Sequence, residues 1–215
     1  MKKLIFAAMA AIFMAPALSS AAVLDFTTGT AGAGGTIVDT GTGDVQGMDI
    51  FIDTLVATET SADGVYNVDG ALACATGGGG SCAALSFDTA AGTFTIVGSV
   101  PGLVGPTTLL SGTIDSFTFN TTPGGLATFF ATGTDTKAEG LLTSLGIDPA
   151  TVFSFAGFSI GALPVPCGEG RTCYQATSAD FLNNSGFGGE AVPEPTTLVL
   201  LGGGLLGLAR ARKRT

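Results

Sequence analysis

The sequence predicts a mainly β protein, folded as a single antiparallel sandwich or jelly roll. Short runs of alternating apolar and polar residues follow one another along residues 23–190, and turns that contain glycine separate them. The chain has 34 glycines, and phenylalanine, with 15 residues, is its dominant aromatic. A stretch of this length is enough to bury the core of one domain. We therefore expect one β-rich extracellular domain over residues 23–190.

The strands are predicted from their period-two alternation. They cover residues 23–27, 36–40, 48–55, 65–68, 85–88, 93–97, 114–120, 126–132 and 152–160. The glycine-containing turn at 90–92 predicts a hairpin between two of them. In a strand, Phe117 and Phe119 share one face while Thr118 points to the other.

One segment has helical spacing instead. Ala138, Leu141, Leu142 and Leu145 recur at the interval of a helix within residues 136–146. Asp135 or Thr136 is expected to cap the start of this short helix, and Gly146 is placed where a left-handed C-terminal stop belongs. We expect the helix to cover an end of the sheet.

The N-terminus predicts an export signal over residues 1–22. Lys2 and Lys3 precede an apolar run at residues 4–18, and small residues follow at 19–22. This order is that of a secretory signal peptide, which enters the membrane as a helix and is then removed. The Sec translocon and signal peptidase are therefore expected partners.

The C-terminus, residues 191–215, has three parts. Pro193 and Pro195 disfavour regular structure because each proline fixes φ and removes a backbone donor. Residues 196–209 carry no charge, and as a helix these residues span about 21 Å, less than the hydrocarbon core of about 30 Å. A basic cluster follows, which the positive-inside bias holds on the cytoplasmic side: Arg210, Arg212, Lys213 and Arg214.

This tail resembles the PEP-CTERM sorting signal of Gram-negative bacteria. Pro193, Glu194 and Pro195 match the recognition element, residues 196–209 match the hydrophobic segment, and residues 210–214 match the cytoplasmic stop. The resemblance implies that an exosortase, an integral-membrane enzyme, recognises the first element and removes the hydrophobic segment. It also implies export across the inner membrane, transient membrane insertion, and a final location at the cell surface or in a matrix of exopolysaccharide or biofilm.

The predicted domain is strongly acidic once both signals are set aside. Lys137 and Arg171 are the only basic residues between positions 23 and 192, against 16 acidic residues, so the formal net charge of this span is −14. Such a surface repels phosphate backbones, and this excludes nucleic acid as an expected partner.

Four cysteines form two local pairs in the sequence, Cys74 with Cys82 and Cys167 with Cys173. Four cysteines allow three connectivities, and export to an oxidising compartment favours disulfides. Local pairing is predicted because each intervening loop contains glycines that can bring its ends together. A zinc site is disfavoured, since neither pair has the CxxC spacing and the chain has no histidine.

The absence of histidine also limits catalysis. It excludes Ser-His-Asp and Cys-His arrangements and leaves carboxylate chemistry, for which the candidate pairs are Asp49 with Asp53 and Asp63 with Asp69. Aspartate is ordinary in such turn and strand contexts, so we expect no catalytic residue, no cofactor and no defined metal site. A weak calcium site built from scattered aspartates stays open.

Two classes of function follow from these observations. The first is an exported, non-catalytic surface or extracellular matrix protein that is sorted and cleaved by an exosortase and associated with exopolysaccharide. The alternative is a carbohydrate-active module, either a glycan-binding domain or a carboxylate-based hydrolase.

Overall fold

The structure, a computed structural model, describes residues 21–74, 80–168 and 171–184. The signal helix predicted in residues 1–22 falls almost wholly outside these residues, and so does the hydrophobic helix predicted in residues 191–215. In the described part of the chain, no helix is long and apolar enough to cross a membrane.

Twelve strands and one short helix form in these described residues. The strands are β1 (Val23–Thr27), β2 (Thr36–Asp39), β3 (Val45–Ile52), β4 (Thr54–Thr58), β5 (Gly64–Asn67), β6 (Leu72–Ala73), β7 (Ser81–Asp88), β8 (Thr93–Gly98), β9 (Thr107–Thr121), β10 (Ala127–Lys137), β11 (Ser154–Val165) and β12 (Thr172–Asn184). The helix, α1 (Glu139–Ser144), connects β10 to β11 together with the loop that follows it.

Eight of these strands close into a barrel, so the predicted sandwich or jelly roll is wrong although the mainly β, antiparallel class is confirmed. The closed circuit runs β2, β3, β7, β8, β9, β10, β11, β12 and back to β2, and every pairing in it is antiparallel. Closure leaves these strands without a free sheet edge. The physical reason lies in β12, which pairs on both of its edges.

Strand β12 is the element that sequence periodicity missed. On one edge it pairs with β11 from Asn184 to Cys173, and on the other it pairs first with β2 and then, near its end, with β1. Its inward residues include the small Ala176 and Ala179 and the polar Asn183, and a register shift interrupts the alternation. An irregular pattern with small and polar inward residues does not resemble a buried strand in sequence.

Strands β1, β4 and β5 extend the sheet from the second half of β12. The sequence predicted one strand over residues 48–55, whereas the structure separates β3 from β4 at Asp53. The Asp53 carboxylate accepts hydrogen bonds from the backbone N–H and the hydroxyl of Thr30, both at 2.9 Å. These bonds tie the bend between the two strands to the loop after β1.

Phenylalanines from successive strands fill the barrel. The rings of Phe87 and Phe129 stack with centroids 4.3 Å apart, and Phe158 lies 5.3 Å from Phe129 and 5.4 Å from Phe181. Phe94 joins the group at 5.2 Å from Phe181. An eight-stranded barrel has an interior just wide enough for side chains to fill, and these large rings fill it.

The two phenylalanines of β9 share one face as predicted. Phe117 stacks on Phe129 at 5.9 Å, Phe119 meets Tyr174 edge-on at 5.3 Å, and Thr118 between them is exposed. This face therefore packs against the core from one side of the barrel.

A β-bulge bends β10 where it pairs with β9. The register shifts between Thr132 and Gly133, and a side chain at Gly133 would collide with the backbone carbonyl of Thr113. Bulges of this kind increase local twist and help a sheet to curve into a barrel.

Helix α1 is shorter than predicted. Strand β10 continues to Lys137, so the helix begins after Ala138, which has no side-chain capping bond, and the predicted caps Asp135 and Thr136 belong to the strand. Asp135 is engaged with Lys137 instead of a helix N-terminus. Gly146 has the left-handed φ of 65° that was predicted for the residue after the helix.

The phenylalanine core generates a stability prediction. We expect Phe158→Ala to lower the free energy of unfolding by about 3–5 kcal/mol, because it leaves a cavity among the other rings. Phe130→Ala is the matched control, since this ring is 48% exposed, and should cost less than about 1 kcal/mol. Denaturant unfolding with disulfides intact measures both, and equal losses would contradict the packing described.

Candidate functional site

The predicted sorting residues lie outside the described part of the chain. They are Pro193, Glu194, Pro195, Arg210, Arg212, Lys213 and Arg214. The last described strand, β12, ends at Asn184, so the motif follows the strand that closes the barrel.

The predicted cysteine pairs are joined as two disulfides. Cys74 bonds to Cys82 with a Cα–Cα distance of 5.4 Å, and Cys167 bonds to Cys173 at 5.8 Å. The second bridge joins the start of the β11–β12 connection to the start of β12. Both distances lie in the ordinary range for disulfides, so neither requires the backbone to move.

The aspartates considered as catalytic pairs accept hydrogen bonds within turns or lie at bends of the backbone. Asp63 accepts the backbone N–H of Thr60 at 2.6 Å, and this bond lowers the pKa of its carboxyl. Asp53 binds Thr30 as described above, and Asp49 occupies a left-handed position with φ 55° within the β3 bulge. Asp69 forms an isolated bridge with Ser99. These residues stabilise turns and bends of the fold.

Metal ligands do not gather in the described residues. Across 21–74, 80–168 and 171–184, no three carboxylate or cysteine side chains come together in a way that could hold a metal ion.

Three polar side chains meet inside one end of the barrel. Lys137 Nζ donates to Asp135 Oδ2 and to Asn183 Oδ1, both at 2.8 Å, and Asn183 Nδ2 donates to the same Asp135 Oδ2 at 3.0 Å. The side chains of Lys137 and Asp135 are 1% and 0% exposed, and Asn183 is fully buried. We call Asp135, Lys137 and Asn183 the buried polar triad.

Strand alternation explains how the triad forms. Asp135 and Lys137 are two residues apart on β10 and therefore lie on the same face, as do Phe181 and Asn183 on β12. The inward faces of both strands thus change from aromatic to polar toward one end of the barrel.

Burial and specific contacts act in opposite directions on the charge of Lys137. The ring centroid of the buried Phe153 lies 3.9 Å from Lys137 Nζ, a cation–π contact that favours the charged amine. Burial lowers the pKa of Lys137, and the Asp135 charge and hydrogen bond oppose this effect. Asp135 Oδ1 is buried without a hydrogen-bond partner. A cavity of about 290 Å³, lined in part by Asp135, Lys137 and Phe153, adjoins the triad.

A second pair of polar groups lies on the outside of the sheet. Asp25 on β1 pairs with Leu182, and Asp180 pairs with Thr27, so the two aspartates are diagonal neighbours on one face. The pKa of Asp25 is raised to about 6. Partial burial is the largest cause, followed by the charge of Asp180 and a hydrogen bond with it. Asp25 Oδ1 is buried without a hydrogen-bond partner.

An exposed aromatic ring lies on the same outer face. Phe130 on β10 pairs with Ser159 on β11, which in turn pairs with Asp180. The Phe130 ring covers Gly157, whose cross-strand partner is the partly exposed Leu182. We call Phe130, Leu182, Asp25 and Asp180 the outer strip, because they combine apolar surface with carboxyl groups.

Sequence reasoning did not identify either group. The sequence feature that could have indicated the triad is the rarity of basic residues. Lys137 is one of two between positions 23 and 192, and it does not lie on the acidic surface. Asp135 was assigned to a helix cap, and Asn183 lies in the strand that was missed. Only the barrel brings β10 and β12 together around them.

One segment of the chain matches a known family of sequence motifs. The family model described as the PEP-CTERM protein-sorting motif matches residues 191–214. No curated protein and no solved structure matches the chain.

The raised pKa of Asp25 generates a prediction about pH and stability. Because the folded state holds this proton up to about pH 6 and the unfolded state releases it near 4, stability from this group falls as pH rises between these values. We expect Asp25→Asn to remove that loss, stabilising the protein at pH 7 by on the order of 1 kcal/mol after allowance for solvent screening.

Urea unfolding from pH 4 to pH 8 measures this difference. The exposed Asp115→Asn on β9 is the control, because it makes the same charge change away from Asp180. A gain for Asp25→Asn that did not shrink toward pH 4 would contradict the assignment.

Proposed function

Because the chain carries a PEP-CTERM protein-sorting motif at residues 191–214, we propose that it is a non-catalytic surface or extracellular matrix protein that associates with exopolysaccharide. The motif implies export, processing by an exosortase and sorting to the cell surface. The motif is the observation on which the proposal rests. Its position after the strand that closes the barrel allows the tail to be removed without loss of a described strand.

The proposed route uses both ends of the chain. The signal at residues 1–22 directs the protein to the Sec translocon and signal peptidase. The uncharged segment 196–209 then holds the precursor in the inner membrane of a Gram-negative cell, with the basic cluster on the cytoplasmic side. Cleavage by the exosortase releases the acidic, disulfide-bonded domain from this transient anchor.

The non-catalytic role is supported by the way the domain uses its polar groups. The candidate carboxylates Asp53 and Asp63 hold bends of the chain, and phenylalanine rings fill the barrel interior. A net charge of −14 over residues 23–192 favours solubility and partners without negative charge, such as a neutral polysaccharide.

A glycan-binding role is the second candidate, and the outer strip favours it. Sugar rings pack their C–H faces on exposed aromatic rings, and carboxyl groups accept hydrogen bonds from sugar hydroxyls. Phe130 supplies such a ring, and Asp180 and Asp25 supply carboxyls two strands or more away on the same face. This candidate specifies how the domain would hold exopolysaccharide, so it is compatible with the matrix role.

Processing at the C-terminus is the first test. Replacing Pro193, Glu194 and Pro195 together by alanine should leave the hydrophobic tail attached, because the exosortase loses its recognition element. Intact mass spectrometry of the protein recovered from cells with the sorting enzyme measures this. Replacing Gly188, Gly189 and Glu190 by alanine is the matched control and should be processed normally. Complete processing of the first variant would exclude the proposed recognition.

Carbohydrate binding is the second test. The protein should bind the exopolysaccharide of its own cells saturably, and Phe130→Ala should weaken binding about three- to tenfold through loss of ring stacking. Val65→Ala, a change at an exposed apolar residue of β5, should leave affinity unchanged. Released sugar fragments would contradict the non-catalytic role, and absence of wild-type binding would remove the association with polysaccharide.

A further inference from the structure

The buried polar triad places an amine against a carboxamide. Lys137 Nζ lies 2.8 Å from Asn183 Oδ1, and the amide carbon Cγ of Asn183 is one covalent bond beyond that oxygen. A contact of this kind approaches the separation at which groups held by a protein react rapidly, about 3–3.5 Å between reacting atoms. The two residues are 46 positions apart in sequence, so only the fold brings them together.

Asp135 contacts both nitrogens that a reaction between these groups would involve. Its Oδ2 accepts from Lys137 Nζ at 2.8 Å and from Asn183 Nδ2 at 3.0 Å. A carboxylate in this position can take a proton from the amine and deliver it to the amide nitrogen. Its second oxygen, Oδ1, is buried without a hydrogen-bond partner.

The surroundings of the triad favour a reaction that removes charge. The side chains of Lys137 and Asp135 are 1% and 0% exposed. A buried ion pair carries a large desolvation cost, and burial lowers the pKa of the lysine toward the neutral, nucleophilic amine.

We propose that the side chains of Lys137 and Asn183 join in an intramolecular isopeptide bond, with Asp135 as the catalytic residue. The structure holds the amine within hydrogen-bonding distance of the carboxamide oxygen, at 2.8 Å. The bond is autocatalytic, since it requires no partner, cofactor or oxidant.

The contacts within the triad allow each proton of the isopeptide reaction to be assigned. Asp135 Oδ2 takes a proton from the Lys137 ammonium, and the neutral Nζ attacks Asn183 Cγ. A second proton from the new C–N linkage passes through Asp135 to Nδ2, and the C–Nδ2 bond breaks to release ammonia. One proton stays on Asp135. The buried ion pair is thereby replaced by a neutral amide and a neutral carboxylic acid, and the adjoining cavity of about 290 Å³ gives the ammonia a way out.

The bond would join β10 to β12, the strand that closes the barrel. Lys137 is the last residue of β10, and Asn183 is the last but one of β12. The chain continues from β12 toward the sorting motif, so a covalent link at Asn183 would keep the barrel closed against unfolding from its C-terminal end.

A tryptic map of the full chain tests the proposal. The protein is first reduced and alkylated so that the Cys167–Cys173 bridge is open. Trypsin has two sites between residues 23 and 192, after Lys137 and after Arg171. The isopeptide blocks cleavage after Lys137 and ties the peptide that begins at Thr172 to the peptide that contains Lys137. The expected product is one branched species, lighter than its unlinked components by one ammonia. Free peptides ending at Lys137 and beginning at Thr172, at full mass, in folded wild-type protein would overturn the proposal.

Three variants test the roles of the individual groups, each with its fold checked by circular dichroism. Asn183→Ala should abolish the branched product. Asp135→Asn should abolish it or slow its formation by at least about a hundredfold, the usual contribution of general acid–base catalysis. Asp135→Glu keeps the carboxyl and should restore part of the rate, which a merely structural role would not require.

The combined variant Lys137→Met with Asp135→Asn removes both buried charges and serves as the unlinked, folded reference. A branched product that still formed in full with Asp135→Asn would exclude Asp135 as the catalytic residue. The wild-type map decides the bond itself whether or not any variant folds.

Discussion

The double pairing of β12 is the constraint on which the rest of the structure depends. One edge of this strand hydrogen-bonds to β11 over its length, and the other edge is shared by β2 and β1. This pairing closes the eight-stranded circuit and attaches the β1–β4–β5 extension. It also carries Phe181 into the aromatic interior and Asn183 to the polar end. Removing it would expose two sheet edges and the phenylalanine core together.

The interior combines two kinds of packing along the same strands. Toward one end of the barrel, phenylalanines from six strands contact one another, and their burial supplies apolar stabilisation without any polar requirement. Toward the other end, Lys137 and Asp135 must satisfy each other, because an unpaired charge there would be costly. The proposed isopeptide bond resolves this cost chemically, and it would complement the disulfides at Cys74–Cys82 and Cys167–Cys173 in a protein exposed outside the cell.

The charge of the domain surface and the charge of the two chain ends are complementary in sign. Basic residues are concentrated in the terminal segments, so a domain that has lost these segments is acidic. Among residues 23–192, Arg171 is the single exposed basic residue. Its outer strip offers apolar and carboxyl groups rather than positive charge, which suits a neutral glycan better than an anionic one. The acidic surface therefore follows from this distribution of charge, and the proposed association with exopolysaccharide is compatible with it.

Local pattern by itself determined the sorting tail, the antiparallel β class and most strands, because proline order, charge clusters and period-two alternation are readable within a few residues. Strand 23–27 and the left-handed Gly146 are examples of such local features. Only the tertiary structure decided barrel closure and the buried polar triad. Asp135 has the sequence context of a helix cap, and Asn183 lies in a strand of irregular alternation. Their roles arise because β10 and β12 face the same interior, which brings together Lys137 and Asn183, 46 positions apart in sequence. Contacts at that separation depend on strand order, which local periodicity does not specify.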